Sequence, residues 1–282
     1  MKSPISWIGG KFFLVEKLLE LIPKHKVYVE VFGGAAHLLF AKDPFISELE
    51  VYNDIDSGLV NFFRVLRDEG KAKRLIEKVY LTPYSRGEYY YCRETWESCE
   101  DEVERAYRWF VVAKMSFAGR FGNSWGFNLE SRKLVKNWLN IPEKLIEVIE
   151  RLKLVQVENR DFREVFKLYD SEDTFFYCDP PYLHEVRSRN NDYRYEMSIE
   201  DHKDLLSIIL NVKGKVMVSG YDNELYKVLE ENGWIKKSFK VKCHSQKKKD
   251  ERRDERIECV WMNYDIEKER NISRQLFLLS TL

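Results

Sequence analysis

The feature that most constrains the fold is a short run of β-branched and aromatic residues, 27–32, that leads into glycines and then a helical pattern. The turn occupies 33–36, and the helical pattern covers 37–41. A second apolar run at 49–52 is closed by the polar residues of 53–56. A strand, a glycine turn, a helix and a second strand in this order predict a βαβ unit of an α/β protein.

The same alternation resumes in the second half of the chain, after a long segment of different character. Residues 71–149 carry charged, aromatic-rich helical patterns, which predict a helical insertion. Two last apolar runs flank the highly charged segment 246–256, which predicts a hairpin with a solvated loop at the sheet edge. The strands predicted there are 154–157, 174–178, 215–219, 235–242 and 257–263, and the helices are 199–210 and 223–232.

Composition narrows the classes of protein to which the chain can belong. Basic and acidic residues are equal at 47 each, so a site for a polyanion must come from local clusters. No apolar run is as long as a membrane span, and the first residues lack the pattern of a secretory leader. The five cysteines form no C-x-x-C pair, and the five histidines do not fall at metal-ligand spacing. We expect a cytoplasmic protein with reduced thiols and no metal.

Acidic residues stand at the ends of three successive predicted strands, where a parallel sheet gathers them at one edge. They are Glu30, Asp54 and Asp161. A glycine turn lets the backbone approach a ligand closely, and Asp54 follows it by about twenty residues, where an acid accepts hydrogen bonds from ribose hydroxyls. The pattern predicts a nucleotide-like cofactor. Taken singly, Asp54 and Asp56 are better explained by turn chemistry after a strand.

The strongest chemical signal is the apolar strand 174–178, which runs directly into Asp179, Pro180, Pro181 and Tyr182. Neither proline can donate a backbone hydrogen bond, so acceptors dominate this turn. The Asp179 carboxylate and the Pro180 carbonyl can accept both hydrogens of an adenine amine and so free its delocalised lone pair for attack on an electrophilic carbon. Tyr182 can stack on a base that has been flipped out of a duplex. The alternative is an ordinary Pro-Pro loop after a buried strand.

In this order the motifs resemble those of the Dam-like DNA adenine methyltransferase family, in which a cofactor half, a target-recognition insertion and a catalytic half follow one another. Trp7 to Lys11 is similar to the family's W-x-G-G-K segment. The glycine motif has Val31 where the family usually has proline and Ala36 where it has a final glycine. The resemblance spans nearly the whole chain. It implies a Rossmann-like S-adenosylmethionine-dependent methyltransferase sheet with a helical target-recognition insertion.

The resemblance also implies a role for each matching position. The implied cofactor is S-adenosyl-L-methionine, and the transfer needs no metal or covalent intermediate. The implied cofactor contacts are Trp7, Lys11, Glu30, Phe32, Gly33, Gly34, Asp54, Ile55, Asp161, Phe162 and Asp179, and the implied catalytic residues are Asp179, Pro180, Pro181 and Tyr182. The implied domains are a cofactor half at 1–68, a recognition insertion at 69–150 and a catalytic half at 151–282.

Basic and aromatic residues interleave in the insertion, a pattern typical of contacts with nucleic acid. Arg120 and Asn123 have side chains suited to guanine and adenine edges, and Arg187 and Arg189 can hold the strand near a flipped base. For most of the aromatics we favour the alternative that they form the core of the insertion while the charges lie on its solvated face. The basic cluster within 247–256 is explained equally well by phosphate contacts and by a solvated loop.

We therefore predict a site-specific methyltransferase that acts on N6 of a flipped-out adenine in duplex DNA, without a membrane partner. A restriction endonuclease is a possible partner by genome context only. The alternatives are the same chemistry on adenine in RNA, transfer to cytosine N4, and a catalytically silent nucleic-acid binding module. An aspartate begins the turn where serine is commoner for cytosine, and an intact turn together with Lys11 argues against the silent module.

Overall fold

The computed structural model of the chain describes residues 1–5, 11–129, 131–183, 194–242 and 255–271, without the side chains of 242, 255 and 256. It has a mixed α/β fold with a seven-stranded, mostly parallel sheet and flanking helices, which confirms the predicted fold class. The chain forms two compact units. The first comprises Met1–Phe12 and Gly33–Asp161, and the second comprises Phe13–Phe32 and Phe162–Leu282.

Helices and strands alternate along the described residues as the sequence predicts, and the insertion is helical. Two short 3-10 helices, Pro44–Ile46 and Phe117–Gly119, add to the regular elements. In chain order the elements are α1 (Val15–Leu19), β1 (Val27–Glu30), α2 (His37–Ala41), β2 (Leu49–Asn53), α3 (Ser57–Arg67), α4 (Glu69–Leu81), α5 (Arg86–Thr95), α6 (Glu102–Met115), α7 (Lys133–Leu139), α8 (Ile141–Leu152), β3 (Val155–Glu158), α9 (Phe162–Tyr169), β4 (Thr174–Cys178), α10 (Ile199–Ile209), β5 (Lys215–Tyr221), α11 (Lys227–Glu231), β6 (Ile235–Lys242) and β7 (Glu255–Met262).

The first unit combines the parallel pair β2 and β3 with the helices α2 to α8. Asn53 lies opposite Glu158 in the parallel register, so both strands end at the same edge. Helix α3 packs its apolar face on α6, where Phe62 stacks on Phe110 with ring centres 4.6 Å apart. The aromatic residues of α6 are therefore core residues in the main, because burial of their large apolar surface holds the helices together.

A buried cluster of three charges lies in the same unit. The Lys42 ammonium contacts a Glu50 carboxylate oxygen at 2.6 Å, and Arg151 at the end of α8 donates to both Glu50 oxygens, at 2.5 and 2.8 Å. Arg151 also donates to the Leu39 carbonyl at 2.9 Å. Burial lowers the pKa of Lys42, and Glu50 offsets part of that effect. The cluster joins the end of α2, strand β2 and the last turn of α8.

The second unit contains five strands in the order β1-β4-β5-β7-β6. Strands β1, β4 and β5 are parallel, and β7 pairs antiparallel with both β5 and β6. The predicted terminal hairpin is thus confirmed, although its loop lies outside the described residues. In this register Glu30 lies beside Tyr177, and Tyr221 lies opposite Glu258.

Two predicted helix boundaries differ from the structure for local reasons. Helix α3 starts at Ser57, two residues before the periodic segment 59–66 that the sequence predicts as helical, because the Asp56 carboxylate accepts the backbone N–H groups of Gly58 and Leu59 as a cap. Helix α11 covers only Lys227–Glu231 of the predicted 223–232, because the Asn223 side chain accepts the Tyr226 N–H and forms a turn there.

None of the helices described is both long and apolar enough to cross a membrane. In the same part of the chain, no group of three or more histidine, cysteine, aspartate or glutamate side chains is arranged to hold a metal ion.

Candidate active site

The glycine turn is attached to the end of β2 by three hydrogen bonds within the first unit. The Gly33 N–H donates to the Asn53 carbonyl at 2.7 Å, and the Gly34 N–H donates to the Asp54 carboxylate at 2.8 Å. The Tyr52 hydroxyl donates to the Gly34 carbonyl at 2.7 Å. The predicted turn and the predicted ribose-binding acid are thus neighbours in space as well as in the motif.

Two positions of this turn have unusual requirements. A Cβ at Gly33 would lie 2.2 Å from Cε2 of the buried Tyr52 ring, so there is no space for a side chain. Ala36 adopts the left-handed conformation with φ of 54°, a region that favours glycine. The family's glycine at this position would adopt it without strain, which explains the glycine and makes the alanine a real departure.

The fold changes the pKa of Asp54, an acid of the first unit. One carboxylate oxygen accepts the Gly34 N–H, and the other accepts the Asp56 N–H at 2.8 Å. Burial raises the pKa of Asp54 to about 6, although the backbone hydrogen bonds act in the opposite direction. Next to it the Ile55 side chain is 48% exposed. A half-buried carboxylate beside an exposed apolar side chain can bind a ribose and cover one face of an attached ring.

Two asparagines that sequence reasoning did not assign hold the ends of β2 and β3 together. The Asn53 side chain accepts the Arg160 N–H at 2.9 Å and donates to the Arg160 carbonyl at 3.1 Å. Asn159 donates to the carbonyls of Asp54 and Ile55. The signal in the sequence was an asparagine at each strand end. These bonds place Asp161, which follows β3, at the same edge as Asp54.

Lys11 is the described part of the W-x-G-G-K segment, since Trp7 lies outside the described residues. Its side chain is buried, and its charge acts on His37 at the start of α2. Burial, with a further contribution from Lys11, lowers the pKa of His37 to about 4. Lys11 therefore lies near the helix that follows the glycine turn.

Besides Asp179, three predicted cofactor residues lie in the second unit. Glu30 is buried at the end of β1, and the Tyr28 hydroxyl donates to its carboxylate at 2.8 Å. The rings of Phe32 and Phe162 are in contact, with centres 5.5 Å apart, and the Arg163 guanidinium lies 4.4 Å from the Phe162 ring centre. The aromatic pair can offer an apolar face to a planar ring.

The predicted catalytic turn, Asp179 to Tyr182, follows β4, a strand whose five residues are all buried; it is called the catalytic turn below. Asp179 is half-buried and Pro180 is buried. Burial and the nearby Asp179 charge raise the pKa values of Tyr177 and Cys178 well above their usual range, so both side chains stay neutral. Asp179 therefore lies at the carboxyl end of an apolar strand.

Side chains from two other strands hold the catalytic turn in place. The Tyr182 hydroxyl donates to Glu258 at 2.8 Å, and the Tyr182 ring contacts Tyr221 edge to face at 4.7 Å. The Ser219 hydroxyl lies 3.1 Å from the Tyr177 hydroxyl and 3.4 Å from the Cys178 carbonyl. Sequence reasoning missed Glu258, Tyr221 and Ser219, because only the strand register brings them to the turn.

The loop 117–127, which carries the predicted recognition residues Arg120 and Asn123, is folded back on α5 and α6 within the first unit. The Asn123 carbonyl accepts the Tyr89 hydroxyl, and the Asn123 N–H donates to the Arg120 carbonyl at 3.1 Å. The Asn123 side chain is exposed and that of Arg120 is half-buried. The structure thus presents both side chains on a held loop, whereas Arg187 and Arg189 lie outside the described residues.

Aromatic residues of this loop divide into two groups. The Phe121 ring packs on Trp109 at 5.4 Å and so belongs to the core of the insertion. The rings of Trp125 and Phe127 stack 6.0 Å apart, and the Arg86 guanidinium lies 4.8 Å from the Trp125 ring centre. The second group has the more exposed aromatic surface, since Phe127 is 52% exposed whereas Phe121 is half-buried.

Residues 7–246 match the family model of the D12 class N6 adenine-specific DNA methyltransferase. The chain belongs to this family. Since the match runs from the W-x-G-G-K segment past the catalytic turn, the D12 assignment rests on both units of the chain and confirms the resemblance seen in the motifs.

Relatives of this D12-class chain carry names that agree with the family. A "DNA adenine methylase" of Vibrio cholerae serotype O1 is 27% identical over 183 residues, which cover 63% of this chain and 64% of the relative. A "DNA N-6-adenine-methyltransferase" of Escherichia phage P1 is 26% identical over 80% of this chain and 31% of its own. "Modification methylase StsI" of Streptococcus sanguinis is 25% identical over 69% of this chain and 30% of its own. The chain thus spans less than two thirds of these relatives' lengths.

Proposed function

We propose that this chain transfers a methyl group to N6 of an adenine that is flipped out of duplex DNA. The observation that supports this function most directly is the turn after β4, in which the half-buried Asp179 and two prolines end an entirely buried strand. Membership of an N6 adenine-specific family supports the same chemistry. The names of its relatives agree with it.

The proposed methyl donor is S-adenosyl-L-methionine. When bound, it supplies a sulfonium methyl whose carbon–sulfur bond breaks as the carbon–nitrogen bond to N6 forms, and N6 then loses a proton to solvent. In the first unit, Asp54 has the carboxylate and Ile55 the exposed apolar side chain that a ribose and an adenine ring require. Gly33, Gly34, Lys11 and Asp161 complete the proposed contacts there, with Trp7 by motif alone.

In the second unit the donor set also fits such a ligand. Glu30 is a buried carboxylate at a strand end, and the contacting rings of Phe32 and Phe162 offer an apolar face to a base. Their chemistry matches the polar and aromatic parts of the proposed cofactor respectively. We assign them as cofactor contacts on this basis and on their places in the family motifs.

Asp179 and the Pro180 carbonyl are the proposed acceptors for the two N6 hydrogens. Holding both hydrogens favours a pyramidal nitrogen with a localised lone pair, and a fixed acceptor stabilises the positive charge that develops on N6. Tyr182 is the proposed stacking partner of the base. Because Tyr182 is only 5% exposed, a base that stacks on it must displace part of its present surroundings.

The insertion at 69–150 is the proposed recognition region. Arg120 and Asn123 sit on its held loop, where their side chains can reach base edges. Arg187 and Arg189 are proposed contacts beyond the catalytic turn, by sequence position. The cofactor half at 1–68 and the catalytic half at 151–282 complete the proposed division of labour.

The test is transfer of labelled methyl from S-adenosylmethionine to unmethylated duplex DNA by the wild-type chain and by Asp179→Ala, followed by nucleoside analysis. We expect label in N6-methyladenine, and a rate that falls at least about a hundredfold in the variant, because an electrostatic partner of the reacting group is lost. Cofactor binding is measured in parallel. Transfer to RNA alone, or cofactor binding without any transfer, would refute the proposal.

A further inference from the structure

The hydroxyl of Tyr182 has a charged partner that the proposed chemistry does not use. It donates to the Glu258 carboxylate at 2.8 Å, and a hydrogen bond to an ionised acceptor is stronger and more directional than one to a neutral group. Glu258 is half-buried on β7, opposite Tyr221 of β5 in the antiparallel register. The sheet therefore fixes both partners of the tyrosine.

The two contacts constrain the ring in complementary ways. The bond to Glu258 fixes the end of the side chain, while the edge-to-face contact with Tyr221, at an interplanar angle of 73°, fixes the plane of the ring. A stacking ring whose plane is already fixed favours binding and reaction, because ordering the ring on binding would cost free energy and a ring that stayed mobile would lower the fraction of productive complexes.

The charge of Glu258 has a second effect. Adenine becomes positively charged as its N6 gains the methyl group, and a cation is attracted to the electron-rich face of a tyrosine ring. A carboxylate that accepts the phenol hydrogen increases the electron density of that ring. The attraction is therefore greater in the transition state than in the bound ground state, which is the condition for an effect on rate.

We infer that Glu258 is a positioning residue for methyl transfer, which acts through the Tyr182 hydroxyl to orient and polarise the ring that stacks on the target base. The inference rests on the proposed function of Tyr182. It predicts a defect in base positioning and in the transfer step, with little effect on cofactor binding or on the initial binding of DNA.

The second unit offers a matched control. Glu230 accepts a hydrogen bond from the Trp261 Nε1–H at 3.1 Å and pairs with Lys236 at 2.9 Å. Like Glu258, it is a carboxylate that holds the polar atom of an aromatic side chain. No hydrogen bond to Tyr182 is found for Glu230 among the described residues. Glu230→Ala therefore reports the general cost of losing such a contact.

The experiment compares wild type, Glu258→Ala, Glu258→Gln, Tyr182→Phe, the double variant Glu258→Ala with Tyr182→Phe, and Glu230→Ala, all as the full chain. Single-turnover methyl transfer is measured on a duplex whose target adenine has been mapped with the wild type. Base positioning is read from the fluorescence of 2-aminopurine placed at that adenine. Melting temperatures confirm that each variant is folded, and Tyr182→Ala tests the stacking role itself.

We expect Glu258→Ala and Tyr182→Phe each to slow single-turnover transfer about tenfold, with KM for DNA changed less than about twofold. The double variant should be no slower than either single one, because both break the same bond. Glu258→Gln keeps an acceptor but not the charge, and should recover part of the rate. Fluorescence should change in Glu258→Ala and not in Glu230→Ala.

Equal slowing by Glu258→Ala in the wild-type and Tyr182→Phe backgrounds would overturn the inference, as would an unchanged rate in Glu258→Ala. If Glu258→Ala does not fold, Glu258→Gln is combined with Tyr182→Phe instead, and a combined variant that is slower than Tyr182→Phe alone would overturn the inference. Failure of the proposed function appears separately, as an absence of adenine methylation in the wild type or as full activity in Tyr182→Ala.

Discussion

The glycine turn of the first unit and the catalytic turn of the second both follow a buried strand, yet they are held in different ways. Residues 52–54, which lie 18 to 20 positions further along the chain in the same predicted βαβ unit, supply these contacts of the glycine turn, through the Asn53 carbonyl, the Tyr52 hydroxyl and the Asp54 carboxylate. Side chains of distant strands hold the catalytic turn, through Glu258, Tyr221 and Ser219. We call the first turn locally held, because its partners belong to the same βαβ unit, and the second turn held from afar. We expect the first to be sensitive to substitution of its own glycine, and the second to substitution of the distant side chains that contact it.

The largest effect should come from Gly33→Ala in the locally held turn. Its Cβ would lie 2.2 Å from the buried Tyr52 ring, so the ring or the turn must move. We expect the free energy of unfolding to fall by about 1–3 kcal/mol and cofactor affinity to fall with it, measured by urea denaturation and calorimetry. The control is Gly70→Ala on α4, where the nearest atom is 3.6 Å away and alanine should add about 0.5–1 kcal/mol of stability. Similar results for the two substitutions would contradict the steric account.

An intermediate effect should be a pH dependence of the affinity of this turn for S-adenosylmethionine. Because the pKa of Asp54 is raised to about 6, its carboxylate becomes ionised, and able to accept two ribose hydroxyls, as the pH rises through that value. Affinity for S-adenosylmethionine should therefore increase about tenfold from pH 5 to pH 7 and then level off. Calorimetric titrations of wild type and Asp54→Asn measure this, and the variant should bind more weakly at every pH without the step.

The raised pKa of Asp54 also makes the stability of the unliganded chain depend on pH. A raised pKa means that the folded state holds the proton more tightly than the unfolded state, whose pKa is near 3.8. The contribution of this group to stability is therefore full below about pH 3.8 and is lost as the pH rises through about 6. Affinity and this stability term thus change in opposite directions, and a step in affinity that persists in Asp54→Asn would point to another group.

The smallest effect should come from Ser219→Ala at the turn held from afar. Loss of the hydroxyl near Tyr177 and the Cys178 carbonyl should cost about 1 kcal/mol of unfolding free energy and leave cofactor affinity unchanged. Ser238→Ala on β6, where the hydroxyl is exposed and contacts only Cys259 among the described residues, should change stability by less than about 0.5 kcal/mol. A loss of cofactor affinity in Ser219→Ala would contradict the distinction between the two turns.

The same distinction explains which features could be predicted from the sequence. The seven strands, the helical insertion and the neighbourhood of Gly34 and Asp54 all follow from local patterns of apolar residues, glycines and acids. The pairing of Tyr182 with Glu258 depends on residues 76 apart and on the register of β5 with β7, which no local pattern carries. The left-handed backbone at Ala36 could not be predicted either, because an alanine normally indicates a right-handed backbone conformation.

The buried charges of Lys42, Glu50 and Arg151 bear on how such a protein could be re-engineered. Exchange of the proposed recognition insertion between relatives is a route to a new target sequence, and the boundary proposed for it at 150 lies inside α8, one residue before Arg151. The incoming segment must end in a helix that places the Arg151 guanidinium against Glu50. If it does not, the interior keeps the Glu50 carboxylate and the Lys42 ammonium without the guanidinium that completes the cluster. A chimaera that fails for this reason would be misread as one that cannot recognise DNA.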